Sequence, residues 1–142
     1  MTETTLQPDV RPVHDIEEDI RRFIRSYDPL KQARPYFVFD VGDDGFVTLS
    51  GHVRSVQARR VLVDNIPDLE GITGCDAEAL YDDETLRLTI GAMLPRGVML
   101  RVNFGHVVLY GHVPADLDTE ALVAQVRDVP GIIADTIATK FY

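Results

Sequence analysis

The sequence predicts an α+β fold of two tandem α-β-β-α-β modules, each a small three-stranded mixed sheet with two helices on one face. Two observations predict it. Residues 45–53 return as residues 105–113, sixty positions later, and helical and strand-like hydrophobic periods alternate in the same order in both halves. We expect a flexible N-terminal tail over 1–13, a first module over 14–81 and a second over 82–142.

In the first half, apolar residues at helical spacing predict an opening helix, which we expect to end at Pro29 and the polar stretch to Pro35. Aromatic and β-branched residues then predict a hairpin with a Gly-Asp-Asp-Gly turn. Ser55 can cap the next helix, and Gly71 precedes the last strand. The predicted elements are helix 15–27, strands 36–41 and 46–53, helix 56–66 and strand 72–80.

The second half repeats this plan with a hairpin turn one residue shorter. Pro95 and Gly97 are expected to close its first helix. The predicted elements are helix 83–93, strands 98–103 and 107–113, helix 116–128 and strand 132–141. Three pairs of repeated glycines are predicted to be structural: Gly45 and Gly105, Gly51 and Gly111, Gly71 and Gly131.

The repeated motif, Gly45 to Val53 followed later by a Gly-Ile that opens the last strand, resembles the BON domain family, here in two tandem copies. The second copy carries the related segment Val129 to Ile132. BON domains occur in bacterial osmotic-stress and nodulation-related proteins. The resemblance implies a non-catalytic module that binds phospholipid or associates at membranes. A cytoplasmic relative with an added LysM module binds potassium, which implies a potassium-responsive alternative.

The composition argues against several classes of function. The net charge is −9, which disfavours nucleic-acid binding because phosphate would be repelled. A single cysteine, Cys75, excludes an internal disulfide framework. The first residues lack a basic region followed by an apolar run, so we expect a cytoplasmic protein, or a periplasmic one if a leader has been removed.

The sheet faces turned away from the helices are unusually apolar and aromatic for surfaces in contact with water. We expect them to pack on each other, which we favour, or on a second chain or a ligand. The candidate interface residues are Tyr36, Val38, His52, Val108, Tyr110 and His112.

No candidate catalytic, metal or cofactor site emerges from the residue pattern. His106 and His112 lie about 20 Å apart along one strand and cannot share an ion. His52 and His112 could meet if the modules paired symmetrically, and Cys75 is expected to be a buried, inert thiol. A contact with anionic headgroups is considered for three arginines near the second helix: Arg54, Arg59 and Arg60.

These observations favour a binding protein that associates with a protein partner or with a phospholipid membrane surface, and not an enzyme. A potassium-responsive binder, with backbone carbonyls at the seam between the repeats holding the cation, is the first alternative. A structural homo-oligomer, which would use the apolar sheet faces, is the second.

Overall fold

The computed structural model describes residues 11–134 and 137–142. These residues form an α+β fold with two three-stranded sheets, ordered β1-β2-β3 and β4-β5-β6. The elements are α1 Val13–Arg25, α2 Asp28–Ala33, β1 Phe37–Val41, β2 Phe46–Val53, α3 Val56–Asn65, β3 Gly74–Asp82, α4 Asp83–Gly91, β4 Val98–Asn103, β5 His106–Gly111, α5 Thr119–Arg127 and β6 Ala138–Phe141.

Both sheets are mixed in the same way, which confirms the predicted fold class. The first two strands of each sheet form an antiparallel hairpin, and the third strand pairs parallel to the second after a helical crossover. The apolar residues of each sheet that face the helices form one core in each module. The predicted tail over 1–13 overlaps α1, which begins at Val13, while residues 1–10 lie outside the described part of the chain.

The repeat is visible in the backbone as well as in the sequence. All six repeated glycines have positive φ, and the values agree within each pair: 86° and 82° at 45 and 105, 114° and 115° at 51 and 111, 87° and 97° at 71 and 131. At Gly51 an added Cβ would overlap the Tyr36 carbonyl oxygen and lie 2.6 Å from Phe37 Cα. No other residue type fits there without moving the hairpin.

The two hairpins differ by one residue, as the repeat predicts. The pair Val41–Val47 encloses residues 42–46, whereas Val102–Val107 encloses residues 103–106. The shorter turn places Phe104 and Gly105 at its two central positions, with φ values of 49° and 82°. Positive φ at both positions is the backbone form of a type I′ turn.

The prediction that the chain stays irregular after Pro29 is wrong, because a second helix begins there. Pro29 lies at the start of α2, where a missing amide proton costs no helical hydrogen bond. Leu30 and Ala33 on α2 are buried in the first core. A short 3₁₀ turn, Arg34–Tyr36, then leads into β1.

The strand β3 carries an irregularity that β6 does not show in its described residues. Its pairing to β2 slips between Thr48 and Ser50, so that Ala77 and Glu78 lie opposite Leu49 alone. Arg59 on α3 stabilises this bulge, because its guanidinium donates to the carbonyls of Ala77 and Leu80, each over 2.8 Å.

The residue two positions before each module's first helix covers the last of that module's repeated glycines. An added Cβ on Gly71 would lie 2.8 Å from Arg11 Cβ, and one on Gly131 would lie 2.6 Å from the Tyr81 ring. Tyr81 belongs to β3 of the first sheet and also packs against the second core. The strand that ends the first module therefore also completes the second.

Among the described residues, no helix has the length and apolar character needed to cross a bilayer.

Candidate interaction surfaces

The modules meet through the turn between β4 and β5, and not through their open sheet faces. Phe104 at this turn is 7% exposed and belongs to the core of the first module. Its ring stacks on Tyr36 with centroids 3.8 Å apart and planes 7° from parallel. The guanidinium of Arg54 lies over the same ring at 5.1 Å, and Arg54 also donates to Asn103 Oδ1 over 2.9 Å.

A buried carboxylate holds this turn in place. Asp83, at the start of α4, is fully buried, and its two oxygens accept hydrogen bonds from the backbone amides of Phe104 (2.7 Å) and Gly105 (3.1 Å). Asp82 caps the same helix by accepting from the Thr85 amide. A carboxylate at a helix N-terminus that also receives two amide protons is well compensated for burial.

The two repeated histidines do different things and do not meet. His52 Nε2 donates to the Gly131 carbonyl over 2.5 Å, so it joins the first module to the second. His112 instead contacts the Tyr142 ring edge-on at 4.7 Å. His52 also lies against Gly105, and His112 follows the opposite end of β5 from that glycine. A shared His52–His112 site is therefore excluded within one chain.

The favoured expectation that the two open faces pack on each other is wrong. Val38 is 59% exposed and Phe46 40% exposed on the first sheet, and Met99 is 56% exposed on the second. The stacked Phe104 holds the modules together at one end, so neither sheet face covers the other. Of the candidate interface residues, His52 lies at the seam and Tyr36 at its edge, while the rest lie on the open faces or at the end of β5: Val38, Val108, Tyr110 and His112.

The open face of the second sheet is basic, which is unexpected in a chain of net charge −9. We call it the cationic face and define it by Met99, Arg101, His106, Val108, Tyr110 and Lys140. A cleft of about 330 Å³ on it is lined by Arg101, Val108, Tyr110 and Lys140, among others. Arg101 also lies over the Tyr110 ring at 5.5 Å. Within residues 11–134 and 137–142, neither Arg101 nor Lys140 has an ion-pair partner.

A second cleft, of about 520 Å³, continues this surface around the edge strand β4. It shares Arg101 and Val108 with the first cleft and adds Arg54, Arg87 and His106. Its lining within the described part of the chain holds three arginines and no carboxylate. The two clefts together give an exposed basic strip beside an aromatic and aliphatic floor, which suits an acidic partner surface.

The open face of the first sheet has the opposite charge. We call it the acidic face and define it by Val38, Asp40, Phe46, Thr48 and Asp76. Asp40, Thr48 and Asp76 are all exposed. None of the residues that define this face is a lysine or an arginine. The two modules thus present open sheet faces that carry apolar residues and opposite charges.

The three arginines predicted to contact headgroups do not form one surface. Arg59 is partly buried, and its Nε and Nη2 already donate hydrogen bonds to backbone carbonyls of β3. Arg54 lies at the seam, over Phe104. Arg60 is exposed and lines a cleft of about 510 Å³ between α3, β3 and α4, which also holds carboxylates such as Asp64 and Glu78. Contact of these arginines with lipid stays a prediction.

Cys75 is half-buried and not fully buried as expected. Burial raises the pKa of its thiol, and the nearby Asp76 carboxylate raises that pKa further, while Arg59 lowers it. A thiol with a raised pKa is a weak nucleophile at neutral pH. In the described part of the chain, no three or more His, Cys, Asp or Glu side chains are grouped to hold a metal ion.

Sequence reasoning found Val108 and Tyr110 on the cationic face but missed four other residues at the seam or on that face: Asp83, Arg101, Phe104 and Lys140. Arg101 could have been found, because strand alternation places it on the same face as Met99. Phe104 gave a weaker signal, namely an aromatic residue in a turn that favours Asn or Asp beside its glycine. Nothing in the local pattern indicates that Asp83 is buried.

No protein-family model matches the sequence, and no curated protein matches it either. Solved structures that are similar to this chain include two of CdsD, a structural protein of the type III secretion system of Chlamydia trachomatis. The first, its C-terminal domain, has a TM-score of 0.68 at 18% identity and matches 94% of this chain and 66% of that one. The second has a TM-score of 0.65 at 19% identity, over 89% and 60%. This chain spans less than two thirds of the length of either, and at such identity the likeness shows the fold alone.

Proposed function

We propose that this protein is a non-catalytic interaction module that binds an acidic protein partner through its cationic face. The observation that carries the proposal is the pair of exposed basic residues, Arg101 and Lys140, which flank an aromatic floor and have no ion-pair partner within the described residues. The similar CdsD domain comes from a structural protein and not from an enzyme, which supports a role in association. The glycine motifs support, as a further proposal, that both modules are BON-like.

A protein partner suits this surface better than the other candidates. The cationic face offers flat, apolar and aromatic area between its charges, as protein interfaces do. Of the arginines predicted to contact phospholipid headgroups, Arg59 already donates to two backbone carbonyls of β3. For potassium, the seam carbonyl of Gly131 is already accepting a hydrogen bond from His52.

The test is site-specific photo-cross-linking in cells that naturally make the protein. A photoreactive residue at position 110 lies on the cationic face, and one at the exposed position 125, on α5, is the matched control. We expect protein adducts from position 110 that disappear in an Arg101→Glu, Lys140→Glu variant, because reversing both charges repels an acidic partner. Equal adducts from both positions, or none from position 110, would contradict the proposal.

A vesicle experiment separates the phospholipid alternative. Flotation with anionic vesicles at low salt, compared with neutral vesicles, reports binding to the headgroups. Binding that is lost on charge reversal of Arg54 and Arg60, with no protein adducts from position 110, would favour the membrane over a protein.

A further inference from the structure

The two open faces carry opposite charges at the same place in the repeat. Asp40 on β1 pairs with Thr48, and Arg101 on β4 pairs with Val108, sixty positions after Thr48. Both side chains lie on the open side of their sheet, in strands with the same burial pattern at these positions. The two copies therefore carry opposite charges at this equivalent site.

The neighbours of these two residues extend the contrast. Asp76 adds a second carboxylate to the acidic face, opposite Thr48 on the adjoining strand. Lys140 adds a second cation to the cationic face, opposite Tyr110. Each face also presents exposed apolar side chains, Val38 and Phe46 on one and Met99 on the other. Contact between the acidic face and the cationic face can therefore bury these apolar side chains and form ion pairs at the same time.

We propose that the occupant of the cationic face is the acidic face of a second copy of this chain. The inference rests on the proposed function, since it names the partner of that same surface. In this arrangement two three-stranded faces stack as aligned sheets about 10 Å apart, with Arg101 of one copy paired with Asp40 of the next.

The shape of the two faces supports a second copy as the occupant. Both derive from the same α-β-β-α-β plan, so their width of three strands and their twist correspond. The contact is heterologous, because a cationic face meets an acidic one. One face of each kind therefore stays free at the ends of a dimer, and the chain of copies grows or closes into a ring.

The experiment is a charge exchange followed by sedimentation velocity on the full chain, from about 10 µM to about 1 mM, because faces this small associate weakly. We expect the wild-type sedimentation coefficient to rise with concentration. Asp40→Arg and Arg101→Asp should each remain monomeric, since each brings like charges together. An equimolar mixture of the two should associate and grow as the wild type does, with the two variants alternating, because every contact then joins opposite charges. The double variant should regain the behaviour of the wild type for the same reason.

Arg127→Asp is the control, since this exposed arginine on α5 lies on neither face, and its association should match that of the wild type. A wild-type chain that stays monomeric across the range overturns the proposal. Association that survives either single variant, or a mixture that fails to pair, overturns it too. If the chain is monomeric but position 110 still cross-links to another protein, this inference fails and the proposed function stands. If no adducts form either, both fail.

Discussion

The two modules share a plan but differ in what completes their cores. The first core contains α2 and the Phe104 ring, which comes from the second module. The second core is smaller, has no counterpart of α2, and takes Tyr81 from β3 of the first module. Each module thus supplies an aromatic side chain that the other needs. The repeat is two copies in sequence but one interdependent structure in its packing.

The largest expected loss of stability comes from a substitution in the β1–β2 hairpin, whose plan recurs in the β4–β5 hairpin. Gly51→Ala should lower the free energy of unfolding by about 3 kcal/mol, because the Cβ would overlap the Tyr36 carbonyl and crowd Phe37 Cα at 2.6 Å in a backbone with positive φ. Gly111→Ala should cost less, about 2 kcal/mol, because its Cβ would overlap the Gly97 carbonyl oxygen but lie 3.7 Å from the corresponding Val98 Cα. Urea denaturation followed by circular dichroism measures both. Equal losses would mean that the hairpins are equally crowded.

Removing the aromatic side chain at the β4–β5 turn should cost about as much as Gly51→Ala. Phe104→Ala should lower stability by about 3 kcal/mol, because a buried ring and its stack on Tyr36 are lost together. Hydrogen exchange should rise in β1 and β2 of the first module, although the substitution lies in the second.

Met99→Ala is the control for that substitution. Met99 is 56% exposed, and its truncation should change stability by less than about 0.5 kcal/mol. Faster exchange confined to β4 and β5 in the Phe104 variant would show that the modules fold independently.

The smallest effect separates the two repeated histidines. His52→Ala should cost about 1 kcal/mol, because the Gly131 carbonyl loses its donor at the seam. His112→Ala should change stability less, because its contact is the exposed Tyr142. Thermal unfolding at neutral pH compares the two variants directly. No loss on His52→Ala would show that the hydrogen bond at the seam contributes nothing to stability.

The fold could be predicted from the sequence because glycines and apolar spacing act locally. The strand bounds of β2 and β4 and the one-residue difference between the turns follow from the residues themselves. The helix α2 was missed because Pro29 ends one helix pattern and can also begin another. The choice between those two depends on the burial of Leu30, which is a tertiary effect.

The candidate surfaces could be predicted in part. Alternation gave the residues of each open face, but not which surface those faces would contact. That depends on Phe104, whose positive φ aims its ring at Tyr36 instead of leaving it in solvent. The carboxylate that holds the turn, Asp83, lies 21 residues from Phe104 along the chain, beyond the reach of any local pattern.

Tyr81 has a consequence for any attempt to separate the halves. It lies on the last strand of the first module and covers Gly131 of the second module, as Arg11 covers Gly71 within the first. A fragment that begins at residue 82 would expose the second core, and one that ends at residue 80 would shorten β3. A cut on either side of Tyr81 therefore leaves one module incomplete, so we expect the two halves to fold only as parts of one chain.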